Sequence, residues 1–331
     1  MHIAYFCRKP AEAQISLERV FKSVRNAMPE LVKCSAFQCK HNGTSPSTIM
    51  LNILDAHNHQ GDVNHITGDI HYLALGLDGR RTILTIHDCR SLIRLTGLKR
   101  RLFQLLWYDQ PMKRCRIITT ISRFTANELI EFAPWIKNRV RVIYNPIGDA
   151  FQPAPKEFNT DRPVILQVGT GHNKNLIRVA QALKGIRCHL EIVGRLSTAQ
   201  KETLCVNGIN YSSSHGLSDD DIVNKYRHSD IVVFTSTYEG FGMPIIEAQA
   251  TGRPVVTSNI CSMPEVAGSG ACLVDPYDVL SIRNGIMRMT NDRTYRDEMI
   301  DHGYENVKRF AATKIALEYA ELYQAILCCI S

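Results

Sequence analysis

The sequence predicts an α/β protein of two domains, each a doubly wound parallel sheet, and three observations carry that reading. The chain has 331 residues, more than a usual single domain and enough for two domains of about 150 residues that each bury a core. Apolar, β-branched runs alternate with segments of helical period, the pattern of a parallel sheet covered by helices on both faces. The alternation breaks once, between Asn145 and Pro163, where Asn-Pro, Gly and Gln-Pro-Ala-Pro supply linker chemistry. The expected organisation is a first domain over 1–150, a linker over 151–162, a second domain over 163–310 and a last helical segment over 311–331.

The opening run, Met1 to Cys7, lacks the basic flank and small-residue cleavage site of a signal peptide and reads as the first strand. Residues 16–29 read as a helix, because Leu17, Val20, Phe21, Val24 and Met28 recur at three- to four-residue spacing, with Ser16 suited to the cap and Pro29 to the stop. The first series continues through 31–39, a helix near 49–56, then 63–67, 72–77, 82–86, a basic helix, 116–121, 126–132 and 140–144. The second series comprises strand-like runs at 164–169, 189–193, 209–212, 231–234, 255–258 and 271–274, after which the chain is helical to its end.

A hydrophobic content of 44% and a charged content of 21% are ordinary for a soluble globular chain, and no apolar run approaches the ~18 residues that cross a bilayer. Eleven cysteines without a C-x-x-C pair suit reduced, packing thiols, so the expected location is the cytoplasm, extending to the inner face of its membrane. The net charge of +7 is concentrated between Arg80 and Arg123, which hold eleven Lys or Arg against Asp88 and Asp109. Leu98, Leu102, Phe103, Leu105, Leu106, Trp107 and Tyr108 interleave with Lys99, Arg100 and Arg101. Two readings stand: a surface for anionic membrane, at about 1 kcal/mol per cation, or a core-facing helix with a solvated basic side. No recognition motif accompanies the charge, so no nucleic acid is expected.

The most informative stretch is Ser236-Thr237-Tyr238-Glu239-Gly240-Phe241-Gly242-Met243-Pro244-Ile245-Ile246-Glu247-Ala248. The strand-like run 231–234 feeds a Gly-x-Gly turn whose glycines let a ligand approach the backbone, and Pro244 suits a helix start. A helix from Ile245 through Ala250, stopped by Gly252, would aim N–H groups and roughly half a positive charge at the space over the loop, which suits a phosphate. Glu247 is expected in that helix's first turn and Glu239 at the strand end. Two acceptors flanking an anion seat fit a ligand with phosphates in the middle and polyols at both ends.

Other clusters are read more plainly. Asp219, Asp220 and Asp221 form a D-x-D, but Ser218 before them and Ile222, Val223 and Tyr226 after them make a capped helix start, and no metal is expected there. His65, Asp69 and His71 could group around a metal on paper, and read instead as a strand–helix junction.

The 236–248 frame, followed by Gly252-Arg253-Pro254-Val255-Val256-Thr257-Ser258 and Met263-Pro264-Glu265-Val266-Ala267-Gly268, closely resembles the retaining glycosyltransferases of family GT4. The resemblance is densest from Val164 to Asp278. It implies the GT-B fold, two Rossmann-like domains facing each other across a cleft, with the last helix crossing back to the first domain. It also implies a nucleoside diphosphate sugar as donor, a glycan or lipid-linked acceptor, and no essential cofactor or metal. The expected reaction is retaining hexose transfer in surface polysaccharide or lipopolysaccharide biosynthesis.

By the same resemblance Glu239, His87 and Lys174 are the catalytic candidates, with Lys174 facing the diphosphate and His87, from a T-x-H motif, the donor sugar. Gly169, Thr170, Lys174, Arg195, Gly240, Phe241, Gly242, Met243, Pro244 and Glu247 would bind the donor. Many relatives have glycine in the loop after the first strand; here it runs Arg8-Lys9-Pro10-Ala11-Glu12-Ala13-Gln14. Arg8 and Lys9 therefore join Lys99, Arg100, Arg101 and Trp107 as candidates for an anionic acceptor or membrane. Other readings are a GT-B phosphorylase, a sugar-nucleotide epimerase, or a non-catalytic basic membrane or nucleic-acid adaptor on the same scaffold.

Overall fold

The computed structural model describes residues 1–9, 16–43 and 45–329. The expectations for the Pro10–Gln14 loop and for the Ser16 cap lie outside the described residues and side chains. The chain divides into two compact units, one of residues 1–146 with 312–331 and one of residues 147–311.

The first unit is built on six parallel strands: β1 (His2–Cys7), β2 (Lys33–Gln38), β3 (Val63–Ile66), β4 (Thr82–Ile86), β5 (Ile117–Thr120) and β6 (Val140–Val142), in the order β2-β1-β3-β4-β5-β6. Every residue of β3 and β4 is buried, as a sheet covered on both faces requires. The run 72–77, placed in sequence among the strand-like and helical segments, is a 3-10 turn over His71–Leu75. It cannot add a strand, because β3 and β4 pair directly, Asn64 against Thr82, and leave no edge between them.

The basic segment is a helix over Gly97–Phe103, a π-helical turn over Gln104–Asp109 and a last helical turn over Gln110–Arg114. Trp107, a candidate for the membrane, packs inward: its Nε1 donates to the Asp69 carbonyl at 3.2 Å and its ring stacks on Phe103. Leu98, Leu102 and Leu106 stay exposed beside Lys99, Arg100 and Arg101.

The terminal helix, Ala312–Cys328, belongs to this unit, and Ile315, Ala316, Tyr319, Tyr323 and Ile326 give it a buried stripe at helical spacing. Its Tyr323 hydroxyl donates to the Tyr5 hydroxyl at 2.9 Å and meets His65 Nδ1 at 2.7 Å. His65 Nε2 lies 2.7 Å from Thr85 Oγ1, which in turn is 2.6 Å from Thr119 Oγ1. With Tyr323 donating to Tyr5, His65 donates from Nδ1 and accepts at Nε2, which is the neutral imidazole.

Burial lowers the His65 pKa from 6.5 to about 3. Since the unfolded chain binds that proton more readily, this stability is complete above pH 6.5 and is lost as pH falls toward 3. Between pH 7 and pH 5 the expected loss from His65 alone is about 2 kcal/mol, at ~1.4 kcal/mol per pH unit below 6.5. His71 and His87 are shifted the same way by burial and add to it. Urea denaturation at the two pH values checks this, and an unchanged midpoint would refute a neutral buried His65.

The second unit holds β7 (Val164–Val168), β8 (His189–Val193), β9 (Tyr211–Ser214), β10 (Ile231–Phe234), β11 (Val255–Ser258) and β12 (Cys272–Val274), all parallel, in the order β12-β11-β10-β7-β8-β9. The order reverses between β7 and β10, so their carboxyl ends flank a topological switch point, the usual place for a ligand in such a sheet. Residues 151–162, expected as linker, are tied to this unit: Asp230 accepts hydrogen bonds from Lys156 Nζ and, at 3.1 Å, from the Asn159 amide. Among the described residues, none of the eleven cysteines is joined in a disulfide.

Candidate functional site

The loops leaving β7 and β10 carry the residues that sequence singled out, and hydrogen bonds join the two loops. After β7 the backbone turns at Gly169 with φ +93°, where a Cβ would sit only 3.0 Å from Lys174 Cγ and Cε; glycine is what lets the lysine stem lie across this turn. A 3-10 turn, His172–Lys174, follows, and Asn175, left-handed at φ 62°, starts the next helix. The buried Asn175 side chain donates to the carbonyls of Thr235, at 2.9 Å, and Pro276, at 2.7 Å, which anchors the β7 loop to the β10 loop. The Thr237 amide donates to the Asn173 carbonyl at 2.8 Å and adds a second tie.

These ties bring Lys174 Nζ to 2.7 Å from Glu239 Oε1, across 65 residues of sequence. Asn173 Nδ2 donates to the same oxygen at 3.0 Å, and among the described residues Oε2 has no protein partner. The ammonium also lies 4.6 Å from the centroid of the Phe234 ring. Side-chain exposures of 23% for Lys174 and 15% for Glu239 leave the pair open to a ligand while keeping most water away.

The Gly240–Gly242 turn is held from below by Ser262, whose Oγ reaches the carbonyls of Glu239 at 2.8 Å and Phe241 at 2.7 Å. The Phe241 ring is buried edge-on against Phe310, so this candidate donor contact has only main chain to offer a ligand. Gly242, at φ 110° and ψ 56°, is the N-cap of the helix Met243–Ala250, and among the described residues no side chain caps it. The helix thus starts two residues earlier than expected, with Pro244 at its second position rather than its first. Glu247 in consequence is the fifth helical residue, past the first turn, a correction that follows from the left-handed Gly242 letting the chain turn early. Its carboxylate accepts a 2.5 Å hydrogen bond from the buried Tyr226 hydroxyl. Of the remaining candidates, Thr170 donates through Oγ1 to the Arg195 carbonyl at 2.8 Å, and the Arg195 side chain is exposed.

Sequence reasoning missed Asn173, Tyr226 and Ser262. Asn173 adjoins Lys174 and carried the only usable signal. Ser218 and Asp221 form the expected reciprocal cap, each bonding the other's amide at 3.2 Å, so Asp221 serves the helix.

In the first unit His87 follows β4 and is buried, its Nε2 held at 2.9 Å by the Thr67 carbonyl and its Nδ1 without a partner among the described residues. Arg8 is paired with Glu18 at 2.9 Å and Asp69 at 3.4 Å, which offsets much of its charge. Lys9 is exposed and reaches the Lys40 carbonyl at 3.4 Å. His65 is committed to the network around Tyr323, and His71 Nδ1 to the Trp107 carbonyl at 3.0 Å.

Two doubly wound parallel-sheet domains of this kind are the architecture of the GT-B class. Solved structures of that class superpose over nearly the whole chain. The Anabaena protein HepE, solved in complex with UDP and glucose, has a TM-score of 0.77 at 16% identity, covering 98% of this chain and 100% of that one. The family model for glycosyl transferases group 1 matches residues 149–306 and that for glycosyltransferase family 4 residues 10–150. The chain belongs to the family 4 glycosyltransferases.

Among its relatives, O-antigen chain mannosyltransferase B of Escherichia coli is 34% identical over 108 residues, 33% of this chain and 28% of that protein. The serotype-specific mannosyltransferase WbdA of Escherichia coli is 25% identical over 257 residues, 69% of this chain and 32% of that protein. The chain thus matches about a third of the length of these relatives.

Proposed function

We propose that the chain transfers a hexose from a nucleoside diphosphate sugar to a hydroxyl of a glycan or lipid-linked acceptor, with net retention at the anomeric carbon. The observation that carries this reading is the Lys174–Glu239 pair, set at the switch point beside a helix start capped by the glycine Gly242. As the bond from the anomeric carbon to the diphosphate breaks, negative charge builds on the departing oxygens. The Lys174 ammonium and the start of the Met243–Ala250 helix stabilise it in proportion to that build-up, which is what speeds the step. Arrival of the diphosphate draws Lys174 from Glu239 toward phosphate, and Glu239, through Oε2, takes the sugar hydroxyls. Glu247, oriented by Tyr226, takes ribose hydroxyls. His87, neutral and with Nδ1 unpartnered among the described residues, is assigned to a sugar hydroxyl on its T-x-H resemblance.

Mannose is the first hexose to test, since the named relatives are mannosyltransferases, and the setting this favours is O-antigen or similar surface polysaccharide assembly. Thermal unfolding with UDP, GDP, ADP and CMP is the direct test. A ligand at a hundred times its Kd adds about 2.7 kcal/mol to the native state, so one nucleoside diphosphate raises Tm and Lys174→Ala abolishes the rise. No shift with any of them would sink the reading.

A further inference from the structure

The strand ends of the first unit opposite those that carry His87 and Arg8 hold a second feature. Just before β4 lie Gly79 and Arg80, just before β5 lie Arg114 and Arg116, and at β6 lie Arg139 and Arg141. Together they line a cavity of about 470 Å³. Among the described residues no acidic side chain lines it. Arg80 is within 3.4 Å of Asp78, which is shared with Arg81 at 3.4 Å. Among the described residues no carboxylate pairs with Arg114, Arg116, Arg139 or Arg141.

Backbone carbonyls hold several of these guanidinium groups in place. Arg139 donates to Met112 at 3.1 Å and to Cys115 at 2.9 Å, Arg114 to Leu77 at 3.3 Å, and Arg141 to Val140 at 2.9 Å. Each guanidinium has five donors, so these bonds fix the side chain and leave N–H groups for a ligand. Like charges gathered without counter-charge repel one another, and a bound anion relieves that repulsion. Arginine rather than lysine at every position offers planar forks that match paired phosphate oxygens.

We propose that this cavity is an anion site, separate from the Lys174–Glu239 site, that takes a diphosphate or comparably clustered phosphates. Four uncompensated cations exceed what a single phosphate needs, and the cavity lies within the roughly 300–1,000 Å³ of small-molecule sites. A free diphosphate ester and a phosphorylated lipid headgroup share this chemistry. The second source gains support from the exposed Leu98, Leu102 and Leu106, which lie on the same helical segment as Arg114.

The test uses Arg116→Ala with Arg141→Ala, both at exposed positions, so that the fold survives; melting curves verify it. Inorganic pyrophosphate is titrated calorimetrically into the Lys174→Ala chain, which removes the cation of the other site, and then into the same chain carrying the two arginine changes. The expected result is binding to the Lys174→Ala chain that weakens by about tenfold or more when the arginines are removed, with inorganic phosphate binding more weakly throughout. Flotation with phosphatidylglycerol vesicles, against phosphatidylcholine vesicles, distinguishes the sources: loss of flotation in the arginine variant assigns the site to a lipid headgroup, and unchanged flotation to a free diphosphate. Failure of pyrophosphate to bind the Lys174→Ala chain, or equal binding with and without the two arginines, overturns the proposal. The Lys174→Ala background keeps this outcome distinct from failure of the proposed transferase reading.

Discussion

Glu239→Ala is expected to lower the transfer rate by roughly two to three orders of magnitude, the range seen when one preorganised polar contact to a reacting group is removed. The carboxylate joins Lys174 and Asn173, so the change removes a sugar contact and also frees the Lys174 ammonium, while Asn173 keeps its bond to the Tyr238 carbonyl at 3.1 Å. Stability should change little, because a partly exposed ion pair contributes only about 0–1 kcal/mol. The loss should therefore fall on kcat with Tm nearly constant. Glu239→Gln keeps an acceptor for Asn173 and should fall between wild type and alanine. Transfer of labelled sugar under saturating donor measures both variants. Wild-type rates for Glu239→Ala would remove this residue from the site.

The second large effect is on stability. Tyr323→Ala is expected to destabilise the first unit by about 3–5 kcal/mol, as large-to-small changes in fully buried aromatics do. Tyr323→Phe fills the space but leaves His65 Nδ1 and the Tyr5 hydroxyl without their shared partner, at about 1–3 kcal/mol for buried polar groups left unsatisfied. Chemical denaturation of both variants gives the two numbers. A phenylalanine variant as stable as the parent would show that the hydroxyl chain adds nothing beyond packing.

What sequence shows about this molecule is what local chemistry determines. Strands such as β4 and β10 are uninterrupted apolar or β-branched runs, and the 236–248 frame announces itself through glycine, proline and acid positions within a few residues. Contacts between distant segments were not legible. Nothing in the order of residues says that Lys174 meets Glu239, or that the hydroxyl aimed at Glu247 comes from Tyr226. The basic segment shows the same limit from the other side. Its charge could be counted, but whether Trp107 faced out or in depended on Asp69 and Phe103, and they take it inward. Glu247 lies two helix positions later than residue preference indicates, because the conformation of Gly242 decides where its helix begins.

The terminal helix gives the chain an unusual order of assembly. A ribosome makes the first sheet early, yet Tyr323 and its neighbours emerge only after all 165 residues of the intervening unit, 147–311. Until then His65 and Tyr5 have no hydroxyl from that helix to meet, and the face it covers stays open. The second unit, being continuous in sequence, has no such wait. Nascent chains can therefore complete the second unit before the first, and the helix Ala312–Cys328 closes the part that was begun earlier.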